Sequence, residues 1–288
     1  MLSISDGLIP LWVYMDSPLL IPIIRLDTKS TYIVFKEASA PFVVVRMQDL
    51  LLKSSPGFNK IFKEIKDAGG IHNFLATETP VMLSFIMRDE LIRRCGPRDY
   101  VSAVEVLKPD LISSVDGWTY EHAVEESADE IGRIQSENEE LLKACLIGKE
   151  RVFGIIKGCT FDQIDLHIKL LKSLGIRRFV FHAADYQRHG DVAMFQRFRS
   201  FVYHIHARVP ELMLYGFGSQ KRLWMFSFAD YFASFNYFVV ASNGQKYLGS
   251  KRVKSDQRFG EGLLLENYRE MLRNVEDLRR QKSLVEAV

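Results

Sequence analysis

The feature that most constrains this chain is a unit repeated along its middle. A short, β-rich run that is apolar on both faces is followed by a longer amphipathic helical stretch. Such runs occupy Phe42–Arg46, Val81–Ile86, Asp110–Asp116, Val152–Gly158, Arg178–Ala184, Leu212–Gly218 and Tyr231–Val240. A strand apolar on both faces must be covered on both, which is the state of a parallel strand under a layer of helices. Helical patterns lie between the runs, at Thr119–Ile147, Thr160–Leu174 and Val192–Val209. In the second of these, Leu166, Leu170, Leu171 and Leu174 form an apolar stripe. Thr160, with Gln163 three residues on, is suited to cap its start, and Gly175 to end it. Repeated strand–helix alternation predicts an α/β fold, a (β/α)8 TIM-type barrel of parallel strands inside a ring of helices. The rival is a doubly wound open sheet, but no glycine-rich dinucleotide turn follows the first run. The pattern does not reveal the eighth strand.

The 288 residues suit one such barrel, read as a single domain over residues 1–288. Net charge is only +2, so attraction to nucleic acid must come from a local patch. Cys95, Cys145 and Cys159 are scattered, without metal-ligand spacing, which points to a reducing compartment and no disulfide framework. The apolar stretch Leu8–Ile24 contains Asp16, Pro10, Pro18 and Pro22 and is too broken to span a bilayer or to act as a signal peptide. A cytoplasmic location, no membrane association and no cofactor are therefore expected. None of the seven histidines stands in a Cys/His cluster, so no metal site is expected either.

In a parallel barrel the loops after the strands build the active face. The polar residues at those ends are Ser84, Asp89, Asp116, Lys157, His182, Asp185, Tyr215 and Ser219, with Asp230 just before the last run. Asp116 closes its apolar run, and Trp118 and Tyr120 follow it. A carboxylate beside aromatic rings can accept from a purine's N–H edge while a ring stacks on its face; it can also simply cap a helix starting near Thr119. Lys157, next to Gly158, is placed to meet a phosphate or carbonyl, or only to pair with a neighbouring carboxylate. His182 on an apolar strand reads equally as a core histidine. Gly249–Arg258 reads as an exposed basic loop, and Leu263–Leu284 as a charged helix. Lys246, Lys251, Arg252, Lys254 and Arg258 could there track a nucleic-acid backbone.

Several stretches in order resemble the tRNA-guanine transglycosylase superfamily, which exchanges a guanine in tRNA for a 7-deazaguanine on the way to queuosine or archaeosine. Gly69-Gly70-Ile71-His72-Asn73-Phe74 with Thr79-Pro80-Val81 resembles the family's GGLH-x-F stretch. Ser114-Val115-Asp116-Gly117 is similar to the strand end that contacts the base, and Phe153–Gly158 to FGIVQG, with Lys157 in place of glutamine. Leu214-Tyr215-Gly216-Phe217-Gly218 resembles L-x-G-x-G, and Asp230–Leu248 the archaeal-type D-x-F-D-S pattern. The likeness covers about residues 40–250. It implies tRNA or DNA and a guanine or 7-deazaguanine base as partners, an oligomer, and base contacts from Asp116, Trp118, Lys157, Gly158, His182 and Ala183.

The family's nucleophilic aspartate falls at Ala233, its second aspartate lies in a stretch replaced by Leu83-Ser84-Phe85, and its zinc module and appended RNA-binding domain are not found in this sequence. A methyl group cannot attack ribose C1′. The expectation is therefore a non-catalytic or altered member, the silent subunit beside a catalytic transglycosylase. The alternatives are an active enzyme with a relocated carboxylate, Asp230 or Asp89, and a barrel that binds a small metabolite.

Overall fold

The computed structural model describes residues 18–37, 40–120, 122–145, 147–187 and 191–286; residues 8–17 of the N-terminal apolar run, and the side chain of Asp185, lie outside the described set. Eight strands are parallel: β1 (Leu19–Pro22), β2 (Val43–Arg46), β3 (Val81–Ser84), β4 (Leu111–Ser113), β5 (Val152–Ile156), β6 (Arg178–His182), β7 (Leu212–Tyr215) and β8 (Tyr231–Ser234). They lie side by side in the order β1-β8-β7-β6-β5-β4-β3-β2. A parallel bridge from Ile23 to Val44, with the Ile24 N–H donating to the Val44 carbonyl at 2.9 Å, brings the two ends together. The fold is a (β/α)8 TIM-type barrel, as the alternation predicts.

Period-2 alternation divides each strand between two cores. Leu19, Ile21, Val44, Met82, Phe153, Ile155, Val180, Met213, Tyr231 and Ala233 fill the barrel interior. Their neighbours Leu20, Val43, Val45, Leu83, Ile156, Phe179, Phe181 and Phe232 pack outward against the helices. The interior is plugged by Phe42, Phe153 and Tyr231, whose ring centroids lie 5.7–6.0 Å apart. This double demand is why the runs read as apolar on both faces.

The outer layer contains α1 (Ile33–Glu37), α2 (Lys60–Asp67), α3 (Ile71–Leu75), α4 (Asp89–Ile92), α5 (Pro97–Leu107), α6 (Val124–Cys145), α7 (Phe161–Ser173), α8 (Val192–His206), α9 (Asn236–Ser242) and α10 (Glu261–Glu286). Thr160 caps α7 through the Gln163 N–H at 3.2 Å, as expected.

Five sequence expectations need correction. The eighth strand is β1, inside the N-terminal apolar run. The run Tyr231–Val240 is strand only to Ser234; Tyr237, Val240 and Ala241 are the buried i, i+3, i+4 face of α9. Asn236 leaves the strand by donating its N–H to Ser234 Oγ at 3.1 Å. The buried stripe of α7 is Ile164, His167, Ile168 and Leu171, whereas Leu166 is 46% exposed; counting leucines passed over a buried histidine. Helix α6 starts at Val124 and not near Thr119, so Asp116 is not its cap. Finally, Gly249–Arg258 is not all loop: β9 (Gln245–Leu248) and β10 (Lys251–Lys254) form an antiparallel hairpin turning at Gly249, where φ is +58°. The hairpin packs on α10, whose Asn267 side chain accepts the Tyr247 N–H on Oδ1 at 2.8 Å.

Candidate functional site at the barrel mouth

Beyond the C-terminal strand ends lies a cavity of about 990 Å³, bordered by Arg46, Asp89, Asp116, Trp118, Lys157 and His182 among others. That volume is at the upper end of pockets that hold drug-sized ligands, roughly 300–1,000 Å³.

Asp116 is buried where β4 gives way to its loop. Its Oδ2 accepts from the Met87 N–H at 3.1 Å and its Oδ1 from the Gly117 N–H at 2.9 Å. The Lys157 ammonium completes the set, with Nζ 2.6 Å from Oδ1. Helix α6 fixes the loop from behind. Asn138 accepts the Val115 N–H at 2.7 Å, and Glu130 the Trp118 N–H at 3.2 Å. A Cβ at Gly117 would stand 2.3 Å from Ile134 Cδ1, so any larger residue there must displace the Ile134 side chain.

Lys157 follows Phe153 and Ile155 on the inward face of β5, so alternation aims it into the mouth. Its own N–H donates to His167 Nδ1 at 2.9 Å. His167 is fully buried, its Nε2 has no hydrogen-bond partner among the described residues, and burial pushes its pKa down to about 4. The accepted bond places the ring proton on Nε2, so His167 is a neutral acceptor. Gly158 makes the turn into α7 with φ +145°, and a Cβ there would meet Ile164 N at 2.7 Å. Its N–H donates to Thr119 Oγ1 at 3.2 Å.

His182 borders the cavity on the β6 side, its ring centroid 5.8 Å from that of Tyr215. Ala183 does not: it lies in the outer core, one step along the alternation, with its N–H donating to the Tyr215 carbonyl at 2.7 Å and its carbonyl accepting the Tyr186 N–H at 3.2 Å. Trp118 stands in the cavity wall, with the Arg93 guanidinium 5.5 Å from its ring centre.

The two proposed replacement nucleophiles separate. Asp89, at the start of α4, borders the mouth. Asp230 precedes β8 and therefore sits at the barrel's opposite end. There its carboxylate accepts the Leu212 N–H at 2.7 Å, and its own N–H meets the Leu212 carbonyl at 2.9 Å. Asp230 is thus a register buttress and not a mouth residue, which corrects its candidacy as catalyst. Ala233 faces the packed interior, in register with Tyr215. Among the described residues, the carboxylates bordering the mouth are Asp89, Glu90 and Asp116, which follow β3 and β4. β4 lies four strands round the ring from β8, so Asp116 is diametrically across from Ala233.

Of the basic residues, Lys246 is held by Glu266 at 3.4 Å and Asp256 at 3.7 Å. Lys251, Lys254 and Arg258 are exposed. Arg252 lies over Tyr247 and donates to Asn236 Oδ1 at 3.3 Å. Because Asn236 borders the cavity, the basic hairpin adjoins the mouth directly. Sequence reasoning missed Asn236 and Arg46. Arg46 ends the inward face of β2, paired with Asp49 at 2.6 Å and lying over Phe235. The signal for Arg46 was available: it is the first charge on the inward side of an apolar run.

These residues define a (β/α)8 barrel with a polar, aromatic-walled mouth whose centre pairs a buried aspartate with a partly buried lysine. Comparison with models of known protein families and with curated proteins finds no match to this chain. Among the described residues no three His, Cys, Asp or Glu side chains gather as metal ligands, and no helix is long and apolar enough to cross a membrane.

Proposed function

We propose that the mouth binds a guanine-type or 7-deazaguanine base, and that the chain is a tRNA-guanine transglycosylase-like protein of 7-deazaguanine modification that holds base or tRNA without exchanging it. In that role it serves as the silent subunit beside a catalytic partner. The observation that carries this reading is the pairing of buried Asp116 with partly buried Lys157, 2.6 Å apart at the mouth. A carboxylate beside an ammonium offers an acceptor and a donor side by side. A guanine-type edge presents the complement, N–H donors next to the O6 acceptor. Among the described residues Asp116 Oδ1 meets two donors and Oδ2 one, so the acceptor capacity left for a ligand N–H is on Oδ2. The silent part of the reading rests on the resemblance, which aligns the family's nucleophile with Ala233, a residue with no oxygen that packs into the barrel interior.

Calorimetric titration with guanine and with 7-deazaguanine tests the reading. The chain is expected to bind both, Asp116→Asn to weaken both at least tenfold, and labelled guanine not to enter tRNA. Unchanged affinity in Asp116→Asn refutes base recognition. The active-enzyme alternative keeps one residue, Asp89, because it borders the mouth. A covalent nucleic-acid adduct that disappears in Asp89→Asn would replace the silent reading.

A further inference from the structure

The loop that carries Asp116 continues as a strip of aromatic rings. Trp118, Tyr120 and His122 are two residues apart and all border the mouth. They lie ring beside ring, with centroids 5.9 and 5.3 Å apart and planes tilted by 21° and 15°. Separations of this size with near-parallel planes are offset stacks, which leave ring surface uncovered. Tyr120 is 37% exposed, and His122 is exposed. Rings this accessible contribute little to the core, yet the backbone at Trp118 and Tyr120 is firmly held. Ser127 Oγ accepts the Tyr120 N–H at 2.8 Å and donates to the Tyr120 carbonyl at 3.2 Å. Glu130 holds Trp118 N, and Tyr120 bridges to Ala123. Accessible rings on backbone anchored at Trp118 and Tyr120 make a pre-organised stacking platform, which lowers the entropy lost on binding.

From these contacts we infer that Trp118, Tyr120 and His122 form a second subsite, which stacks the bases flanking the one held at Asp116. The inference rests on the base-binding reading and extends it: the ligand is a single-stranded stretch of polynucleotide and not a free base. The strip begins two residues from Asp116 and borders the same mouth, so it is placed to receive the neighbours of a base held in the pocket. Every base has a π-face, so such a strip takes any neighbouring sequence. Its contribution is stacking, not charge, and this separates it from the basic hairpin.

Two probes test the inference: free guanine, and a fluorescein-labelled pentanucleotide with one central guanine among adenines. Binding is followed by calorimetry for the first and by anisotropy for the second. The pentanucleotide is expected to bind at least tenfold tighter than guanine. Tyr120→Ala is expected to weaken it by roughly five- to hundredfold, the range for one lost base–ring stack. Tyr120→Phe should keep the affinity, since the ring is kept. Neither substitution should alter guanine binding, and Tyr120→Ala should leave the salt slope unchanged, whereas Lys251→Ala should flatten it. Pentanucleotide affinity unaffected by Tyr120→Ala and by His122→Ala overturns the subsite while leaving the base pocket standing. If guanine fails to bind but the pentanucleotide binds in a Tyr120-dependent way, the base-pocket reading falls and the strip survives.

Discussion

His167 sets a sharp test of how the mouth is held. It is buried under Lys157, accepts that residue's N–H, and stays neutral in the folded protein because burial lowers its pKa to about 4. In the unfolded chain it titrates near 6.5. Its folded value is therefore depressed, the unfolded state binds the proton first on acidification, and stability falls as pH drops from about 6.5 towards 4. At 1.36 kcal/mol per pH unit, that interval is worth about 3 kcal/mol. His167→Gln supplies an amide oxygen for the Lys157 N–H without a titrating group. Urea unfolding of both proteins between pH 7 and pH 4 isolates the term, since carboxylates elsewhere, and His72 with its raised pKa, act equally in both. The native chain should lose about 3 kcal/mol more than the variant over this range, whatever their difference at pH 7. Stability curves that run parallel to within about 1 kcal/mol would refute a buried neutral histidine under the mouth.

Three further perturbations follow from the same geometry. Lys157→Met leaves Asp116 buried without its cation and should cost about 3–5 kcal/mol in chemical unfolding, with the double variant Lys157→Met/Asp116→Asn recovering much of it. Gly158→Ala forces a side chain into φ +145° and against Ile164 N, and should lower stability by about 1–3 kcal/mol on calorimetric melting. Asp230→Asn weakens a charge-assisted bond to Leu212 N, and should cost about 1–2 kcal/mol in urea unfolding while leaving guanine affinity unchanged. Lost guanine binding in that variant would put Asp230 back among the functional residues.

Much of the site could be read along the chain because strand ends announce themselves. Asp116 and Lys157 are the first polar residues after long apolar runs, and in a parallel barrel such positions converge. Their 2.6 Å pairing was not legible, because two residues 41 positions apart meet only when β4 and β5 lie side by side. Ala183 and His182 looked alike as neighbours on one run, yet alternation sends one to the helices and the other to the mouth. Asp230 looked like a substitute nucleophile by its nearness to Ala233 in sequence, but it sits before the strand and so at the other end of the barrel.

The sequence by itself determined the layered α/β plan, since strands apolar on both faces can be satisfied only between an inner core and a shell of helices. It also determined the N-cap of α7 at Thr160, a matter of local hydrogen bonding. Tertiary structure alone decided that the eighth strand comes from the N-terminal apolar run, that the run after Tyr231 bends into α9 past Ser234, and that Ala233 stands across the barrel from the mouth's carboxylates. Closing a sheet is a long-range event. Which side of a strand faces inward, and which residues meet across the ring, depends on the register of neighbours far away in the chain, and local pattern carries no record of it.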